Sequence, residues 1–140
     1  MKTLKSIIII LFLTIIYSAE AQKILIPMDF AQTDHLKSYG IAYWIIEKSQ
    51  PVDWLLNYRG GSFMCDYNDI IVAECRIRGV FFETIDGVTA AGIYSQVQSE
   101  DYNMEVVKLE KPPKVGVYAP KSILPWDDAV VLALTYAEIP

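Results

Sequence analysis

The chain has 140 residues, and its 12 Lys and Arg against 17 Asp and Glu give a net charge of −5. The basic residues are scattered and form no cationic stripe, so the composition argues against nucleic acid as a partner. A hydrophobic content of 53% excludes intrinsic disorder. The length is that of a single domain of ordinary size.

Residues 1–21 have the pattern of a removable export signal. Lys2 and Lys5 precede an apolar run at positions 7–17, and Ala19-Glu20-Ala21 has the small-x-small pattern of a cleavage site. The run is shorter than the roughly 20 residues that cross a bilayer. We therefore expect cleavage before Gln22, a periplasmic or extracellular location, and no stable membrane insertion after the signal is removed.

After the signal, β-branched runs alternate with segments of helical periodicity. This alternation predicts an α/β fold, flavodoxin-like, with a mostly parallel sheet and flanking helices, and with about five strands and four helices. The predicted strands are Lys23–Ile26 and residues 52–58, 80–85, 104–109 and 114–119.

Two helices have clear sequence signals. The first is predicted over residues 34–49 with Thr33 as its N-cap, and its apolar stripe consists of Leu36, Tyr39, Tyr43 and Ile46. We expect Gly40 to allow this helix to approach the sheet closely. The second helix begins at Asn68 and Asp69 and ends at Gly79, with a stripe made of Ile70, Ala73 and Ile77 and extended by Cys75.

The last part of the chain is predicted to start a new structural unit. Lys111-Pro112-Pro113 separates an α/β domain over residues 22–111 from a further βα unit over residues 112–140, whose helix starts at Pro125. Its predicted buried face consists of Trp126, Val130, Ala133, Leu134 and Ala137. One strand and one helix make only half of a βαβ crossover, so we expect the fold to be incomplete at the C-terminus.

The stretch KILIPMDFAQTDHLKSYGIAYWIIEKSQPVDWLLNYRGGSFM and the later PPKVGVYAPKSILPWDDAVVLALTYAEIP carry a resemblance. They resemble the N-terminal part of a longer family of exported bacterial proteins that often carry the name asparagine synthetase B. Synthetases of that type use a Cys as their first residue, whereas Gln22 would be first here. No P-loop is present either. We therefore expect neither asparagine synthetase activity nor a cofactor.

Residues 53–63, DWLLNYRGGSF, are similar to the strand of class I glutamine amidotransferase-like domains that ends in a Gly-Gly turn. This resemblance implies a class I amidotransferase-like fold as the alternative to the flavodoxin-like one. The resemblance implies that amides of Gly60 and Gly61 help to form an oxyanion hole; a turn that needs positive φ is the alternative. Such domains need a Cys at an elbow and a later His. Here Cys75 lies in a helical stripe and His35, the one histidine, precedes it.

The catalytic residues are therefore unknown, and those of an amidotransferase-like enzyme would lie beyond Pro140. Cys65 and Cys75 would form either a disulfide or two buried thiols. Closure of such a loop of about ten residues would stabilise the fold by roughly 2.5 to 3 kcal/mol on the chain-entropy model.

Ligand-binding candidates cluster in two loops and at the last helix. In a doubly wound sheet, loops at the carboxyl ends of strands line a common crevice. The candidates are Asp29, Gln32, Asp34, His35, Arg59, Gly60, Gly61, Ser62, Trp126, Asp127 and Asp128. Asp29, Asp34 and His35 are residue types that can also bind a metal ion. Asp34 and His35 fall in the first turn of a predicted helix, where an acidic side chain is favoured by the helix dipole. Because this explains the acid without a ligand, we expect no metal.

Two function classes follow. The first is a non-catalytic module that binds a small molecule or a protein, and it is favoured because no nucleophile and base pair up in the sequence. The alternative is the N-terminal section of a glutamine amidotransferase-like hydrolase.

Overall fold

The computed structural model describes residues 22–118 and 128–140. Five strands and four helices lie in this part of the chain. The strands are β1 Lys23–Ile26, β2 Val52–Leu56, β3 Ser62–Asp66, β4 Glu83–Ile85 and β5 Glu105–Leu109. The helices are α1 His35–Glu47, α2 Asp69–Arg78, α3 Gly87–Val97 and α4 Ala129–Ala137.

The five strands form one sheet in the order β4-β1-β3-β2-β5, and all neighbouring strands are antiparallel. The prediction of a mostly parallel sheet of flavodoxin-like or class I amidotransferase-like type is therefore wrong. The error lies at β3, which is not among the predicted strands. Residues 57–61 instead connect β2 and β3 in a hairpin, with Asp53 opposite Met64. The hairpin reverses the chain, so β4 runs against β1.

The order of the first six elements is βαββαβ, the split βαβ arrangement of ferredoxin-like folds. α1 connects β1 to β2 and α2 connects β3 to β4, which leaves β1 and β3 as central neighbours. α3 then leads to β5, which extends the sheet beyond β2.

Helices cover both faces of the sheet, since side chains alternate between the faces along each strand. α1 and α2 cover one face, where the buried strand residues are Ile24, Ile26, Val52, Phe63 and Cys65. α3 covers the other face through Ala90, Ile93 and Val97, which pack against Leu25, Leu55 and Met64.

The α1 boundaries are close to those predicted, but its cap and its buried face differ. Asp34, rather than Thr33, is the N-cap, because its Oδ1 accepts a hydrogen bond of 3.0 Å from the amide of Lys37. Leu36 and Tyr39 of the predicted stripe are largely exposed. The buried residues of α1 are Ser38, Gly40, Ile41, Ala42, Ile45 and Ile46.

α2 begins and ends as predicted, with Asn68 as N-cap and Gly79 in the left-handed region at φ 71°. Ile70, Ala73 and Ile77 of its predicted stripe are nevertheless exposed, Ile77 by 78%, whereas Cys75 is buried. The buried residues of α2 are Ile71, Val72, Cys75 and Arg78. Both faces of this helix carry apolar residues at helical spacing, so periodicity alone does not choose between them.

α4 packs against α1, and Gly40 allows the approach. A Cβ on Gly40 would lie 1.8 Å from the carbonyl oxygen of Ala137, so the close neighbour of this glycine is α4 and not, as predicted, the sheet. The Tyr136 hydroxyl donates a hydrogen bond of 2.5 Å to Asp34. The ammonium of Lys37 lies 5.1 Å from the centre of the Tyr136 ring.

Other predictions for the C-terminal part are wrong or fall outside the described residues. Residues 114–118 form no strand. Val130, predicted to be buried, is 57% exposed, whereas Ala137 is buried. The described residues do not include the predicted signal at residues 1–21 or the last residue of the predicted fifth strand. They also do not include Pro125, Trp126 and Asp127. Within residues 22–118 and 128–140, no helix has the length and apolar character needed to cross a membrane.

Candidate functional site

The two loops predicted to share one region do meet at one end of the sheet. The Arg59 Nε donates to Asp29 Oδ2 at 2.7 Å, and its Nη1 donates to Glu83 Oε1 at 2.9 Å. The amide of Met28 donates to the Arg59 carbonyl at 3.1 Å. The hydrogen bond from Arg59 holds the pKa of Asp29 below its ordinary value. The guanidinium is thus neutralised by two carboxylates, which leaves little positive charge for an anionic ligand.

Gln32 is buried and holds its loop in place. Its Nε2 donates to the carbonyls of Pro27 at 2.9 Å and Phe81 at 3.1 Å. Its Oε1 accepts from the amides of Phe81 at 3.0 Å and Thr33 at 3.0 Å. The amide group is therefore satisfied within the fold, and Gln32 has a structural role.

Asp34 and His35 are also engaged by the fold. Burial raises the pKa of Asp34, but hydrogen bonds from the Lys37 amide and the Tyr136 hydroxyl outweigh it and hold the pKa below its ordinary value. His35 Nε2 lies 3.2 Å from the Met28 carbonyl. Among the described residues, no group of three His, Cys, Asp or Glu side chains is arranged to hold a metal ion.

The Gly-Gly turn has a structural explanation. Gly60 and Gly61 have φ values of 84° and 94°, which favour glycine. A Cβ on Gly60 would lie 2.3 Å from the Met28 carbonyl oxygen. The Gly61 amide donates to the Tyr58 carbonyl at 3.0 Å, and so does the hydroxyl of the buried Ser62, also at 3.0 Å. The Gly61 amide is thus already hydrogen-bonded within the turn.

The remaining predicted residues lie away from these loops or outside the described part of the chain. Asp128 caps α4, because its Oδ1 accepts from the amides of Val130 at 2.9 Å and Val131 at 3.2 Å. Cys65 and Cys75 are free, buried thiols. Burial raises the pKa of each to about 12, so both are protonated and weakly nucleophilic at neutral pH.

A pocket of about 280 Å³ lies between α1, the sheet strands β2, β3 and β5, and the C-terminal residues after α4. We call it the aromatic cavity. Its surface is almost wholly apolar. It is lined by Tyr39, Ala42, Tyr43, Ile46, Trp54, Phe63, Leu109, Lys111, Pro113 and Ile139.

Three aromatic rings form a fixed wall of the aromatic cavity. Trp54 and Phe63 are opposite each other on β2 and β3, and their rings stack with centroids 6.1 Å apart. Tyr39 meets Phe63 edge-on at 5.5 Å. The Trp54 Nε1 donates to the Gly61 carbonyl at 3.0 Å, which fixes the indole. The Gly-Gly turn thereby supports this wall.

The end of α4 places an aliphatic side chain at the same cavity. Glu138 adopts the left-handed conformation at φ 59°, and the Ile139 amide donates to the Leu134 carbonyl at 2.9 Å. This is the hydrogen bond of a Schellman motif, and it fixes the direction in which the chain leaves the helix. On the opposite side, the Tyr43 hydroxyl donates to the Pro113 carbonyl at 3.3 Å.

None of the residues that line the aromatic cavity is among the predicted site residues. Trp54 precedes Gly60 and Gly61 in the sequence, and Phe63 follows them. The two rings lie side by side because the hairpin pairs β2 with β3. An apolar run on each side of a short glycine-containing connection is the hairpin signal that would have placed the two rings side by side.

A second hollow of about 270 Å³ lies between the end of α1 and the start of α2, lined by Trp44, Lys48, Gln50, Asn68, Ile70 and Ile71. It has fewer aromatic rings and no strand residue among its walls. The comparisons with known proteins add no assignment to either hollow: no family model, curated protein or solved structure matches the chain.

Proposed function

We propose that this domain is a non-catalytic binding module that holds a small apolar molecule in the aromatic cavity. The observation that carries the proposal is the wall formed by Tyr39, Trp54 and Phe63, which the fold fixes in place but leaves open on one side. A concave, mostly apolar hollow with few polar groups is the usual form of a small-molecule site.

The size of the cavity limits the ligand. Its volume of about 280 Å³ lies just below the range of about 300–1,000 Å³ for ligand pockets. Burial of apolar ligand surface contributes roughly 25 cal/mol per Å², and association entropy opposes it. We therefore expect a dissociation constant on the order of 100 µM for a small apolar probe.

The chemistry of the described residues supports binding rather than catalysis. Both thiols are buried with pKa values of about 12, and the ring of His35 is next to a backbone carbonyl rather than a nucleophile. No activated nucleophile with its base is present among residues 22–118 and 128–140. The amidotransferase-like alternative gains no support from the Gly-Gly turn, because the turn is part of a hairpin and supports Trp54.

Export and family remain proposals that rest on the sequence. The charged start, the apolar run and the cleavage pattern support an exported protein that begins at Gln22. The intact mass of protein recovered from outside the cytoplasm should match a chain starting there, and recovery of the Met1 form from membranes would contradict export. Membership of the exported family stays a prediction.

Binding can be tested with N-phenyl-1-naphthylamine, an uncharged dye whose fluorescence rises in apolar surroundings. We expect saturable binding of one dye per chain. Ala42→Phe should weaken it at least tenfold, because Ala42 is buried and lines the cavity. Ala73→Phe, on the exposed face of α2, is the matched control and should leave binding unchanged. Equal binding by both variants would exclude the aromatic cavity as the site.

A further inference from the structure

Lys111 carries the one charged side chain that lines the aromatic cavity among the described residues. It follows β5 by two positions and is exposed, so its ammonium can stand at the mouth of the hollow. The remaining lining side chains are aromatic or aliphatic. A ligand buried against them would therefore meet a single positive charge at the edge of an apolar surface.

Two carboxylates on or beside the β2–β5 pair are engaged elsewhere. Glu110 Oε1 lies 3.3 Å from the ammonium of Lys108. Asp53, opposite Lys108 across the β2–β5 pair, accepts a hydrogen bond of 2.5 Å from the Tyr94 hydroxyl on α3. No ion pair to Lys111 is present among the described residues.

We propose that the ligand of the aromatic cavity is an amphipathic monocarboxylate. Its apolar body packs against Trp54 and Phe63, and its carboxylate oxygens accept hydrogen bonds from the Lys111 ammonium. This inference rests on the proposed function and specifies the chemical class of the ligand. A single negative charge on the ligand matches the one positive charge of Lys111. A dianion would keep one negative charge without a partner, and the net charge of −5 on the chain would repel it.

The test uses octanoate and its uncharged analogue octanamide to displace the bound dye from the purified protein. We expect octanoate to displace it at about two- to fivefold lower concentration than octanamide at low salt, the range of an exposed ion pair. The preference should shrink as salt is raised, because ions screen an exposed charge. A ratio of one at low salt would overturn the monocarboxylate assignment while leaving the apolar site in place.

Variants separate the specific role of Lys111 from the general effect of charge. Lys111→Gln should remove the preference for octanoate over octanamide. Lys111→Arg should keep the preference. Lys48→Gln removes one positive charge at the other hollow and should behave like the natural protein. An octanoate preference that survives Lys111→Gln, or a dye that fails to bind at all, would contradict the proposal; the second result would also contradict the proposed function.

Discussion

Arg59 connects three segments of the chain although its own backbone is strained. Its φ of 45° is in the left-handed region, which costs a side-chain-bearing residue roughly 1–2 kcal/mol. The guanidinium contacts Asp29 in the loop after β1 and Glu83 at the start of β4. The conformation therefore persists because the surrounding contacts hold it, as expected for strained positions.

The stability of the protein in acid should depend on the ion pairs of Arg59. The pKa of Asp29 is lowered in the folded state, chiefly by the hydrogen bond from Arg59, so its contribution to stability is present above the ordinary value of 3.8 and is lost as pH falls through the lower folded value. Urea midpoints measured from pH 6 to pH 2 should fall below about pH 4, and Arg59→Met should make the fall shallower. Lys114→Met is the charge control. Equal slopes for Arg59→Met and the natural chain would contradict the network.

The two thiols give a second prediction at this scale. Because Cys65 and Cys75 are free and burial raises each pKa to about 12, neither should react with a thiol reagent in the native protein. Both should react after denaturation without a reductant. A protein with no reactive thiols in denaturant would instead contain the disulfide that the sequence left open.

Individual residues were predicted with uneven success. Asp29 follows β1 and Arg59 follows β2, and these two strands run in the same direction. Their loops therefore meet at one end of the sheet, as they would in the predicted parallel sheet. The sequence could not show that the two side chains pair with each other. Trp54 and Phe63 could not be selected, because nothing in a sequence distinguishes aromatic side chains that fill a core from those that line a hollow.

At the scale of elements, the contact between α1 and α4 closes the aromatic cavity on one side. Gly40 has no side chain, so the backbone of Ala137 can approach it, and Ile139 then reaches the cavity. The ion pair from Arg78 Nη2 to Glu138 Oε2, at 3.4 Å, holds the same end of α4 to α2. The position of α4 and the shape of the cavity are therefore linked.

Two glycine substitutions should have opposite effects. Gly40→Ala should destabilise the protein by about 1–3 kcal/mol, because its Cβ collides with backbone and α4 must move. Gly92→Ala has open space around it in α3 and should stabilise by about 0.5–1 kcal/mol through helix propensity. Urea unfolding measures both. Stabilisation by Gly40→Ala would show that α4 does not pack against this position.

Element boundaries were predictable where local chemistry fixes them. β1 has its predicted bounds, and α2 lies between Asn68 and Gly79, residues that cap helices for reasons visible in the sequence. β3 was missed because its five residues follow directly after a turn. The face of α2 that is buried was also wrong, since that choice depends on the neighbouring helix and sheet.

At the scale of the whole molecule, one missed hairpin changes the fold from parallel to antiparallel. It reverses the direction of every later strand relative to the predicted sheet and brings β5 beside β2. The aromatic cavity depends on this arrangement, because β2, β3 and β5 each contribute lining residues. Local periodicity does not show which distant strands pair. The aromatic cavity therefore could not be predicted without knowledge of the strand pairing.

An apolar site in the aromatic cavity can be tested directly by an NMR titration of the purified protein with octanamide, following the indole N–H of Trp54. This group donates to the Gly61 carbonyl and lies in the cavity wall. We predict that its resonance shifts saturably and shows nuclear Overhauser contacts to the ligand, together with the Phe63 and Ile139 side chains. Shifts confined to residues 29–35 and 59–62, or no saturable shift of the Trp54 indole, would contradict a binding site in the aromatic cavity.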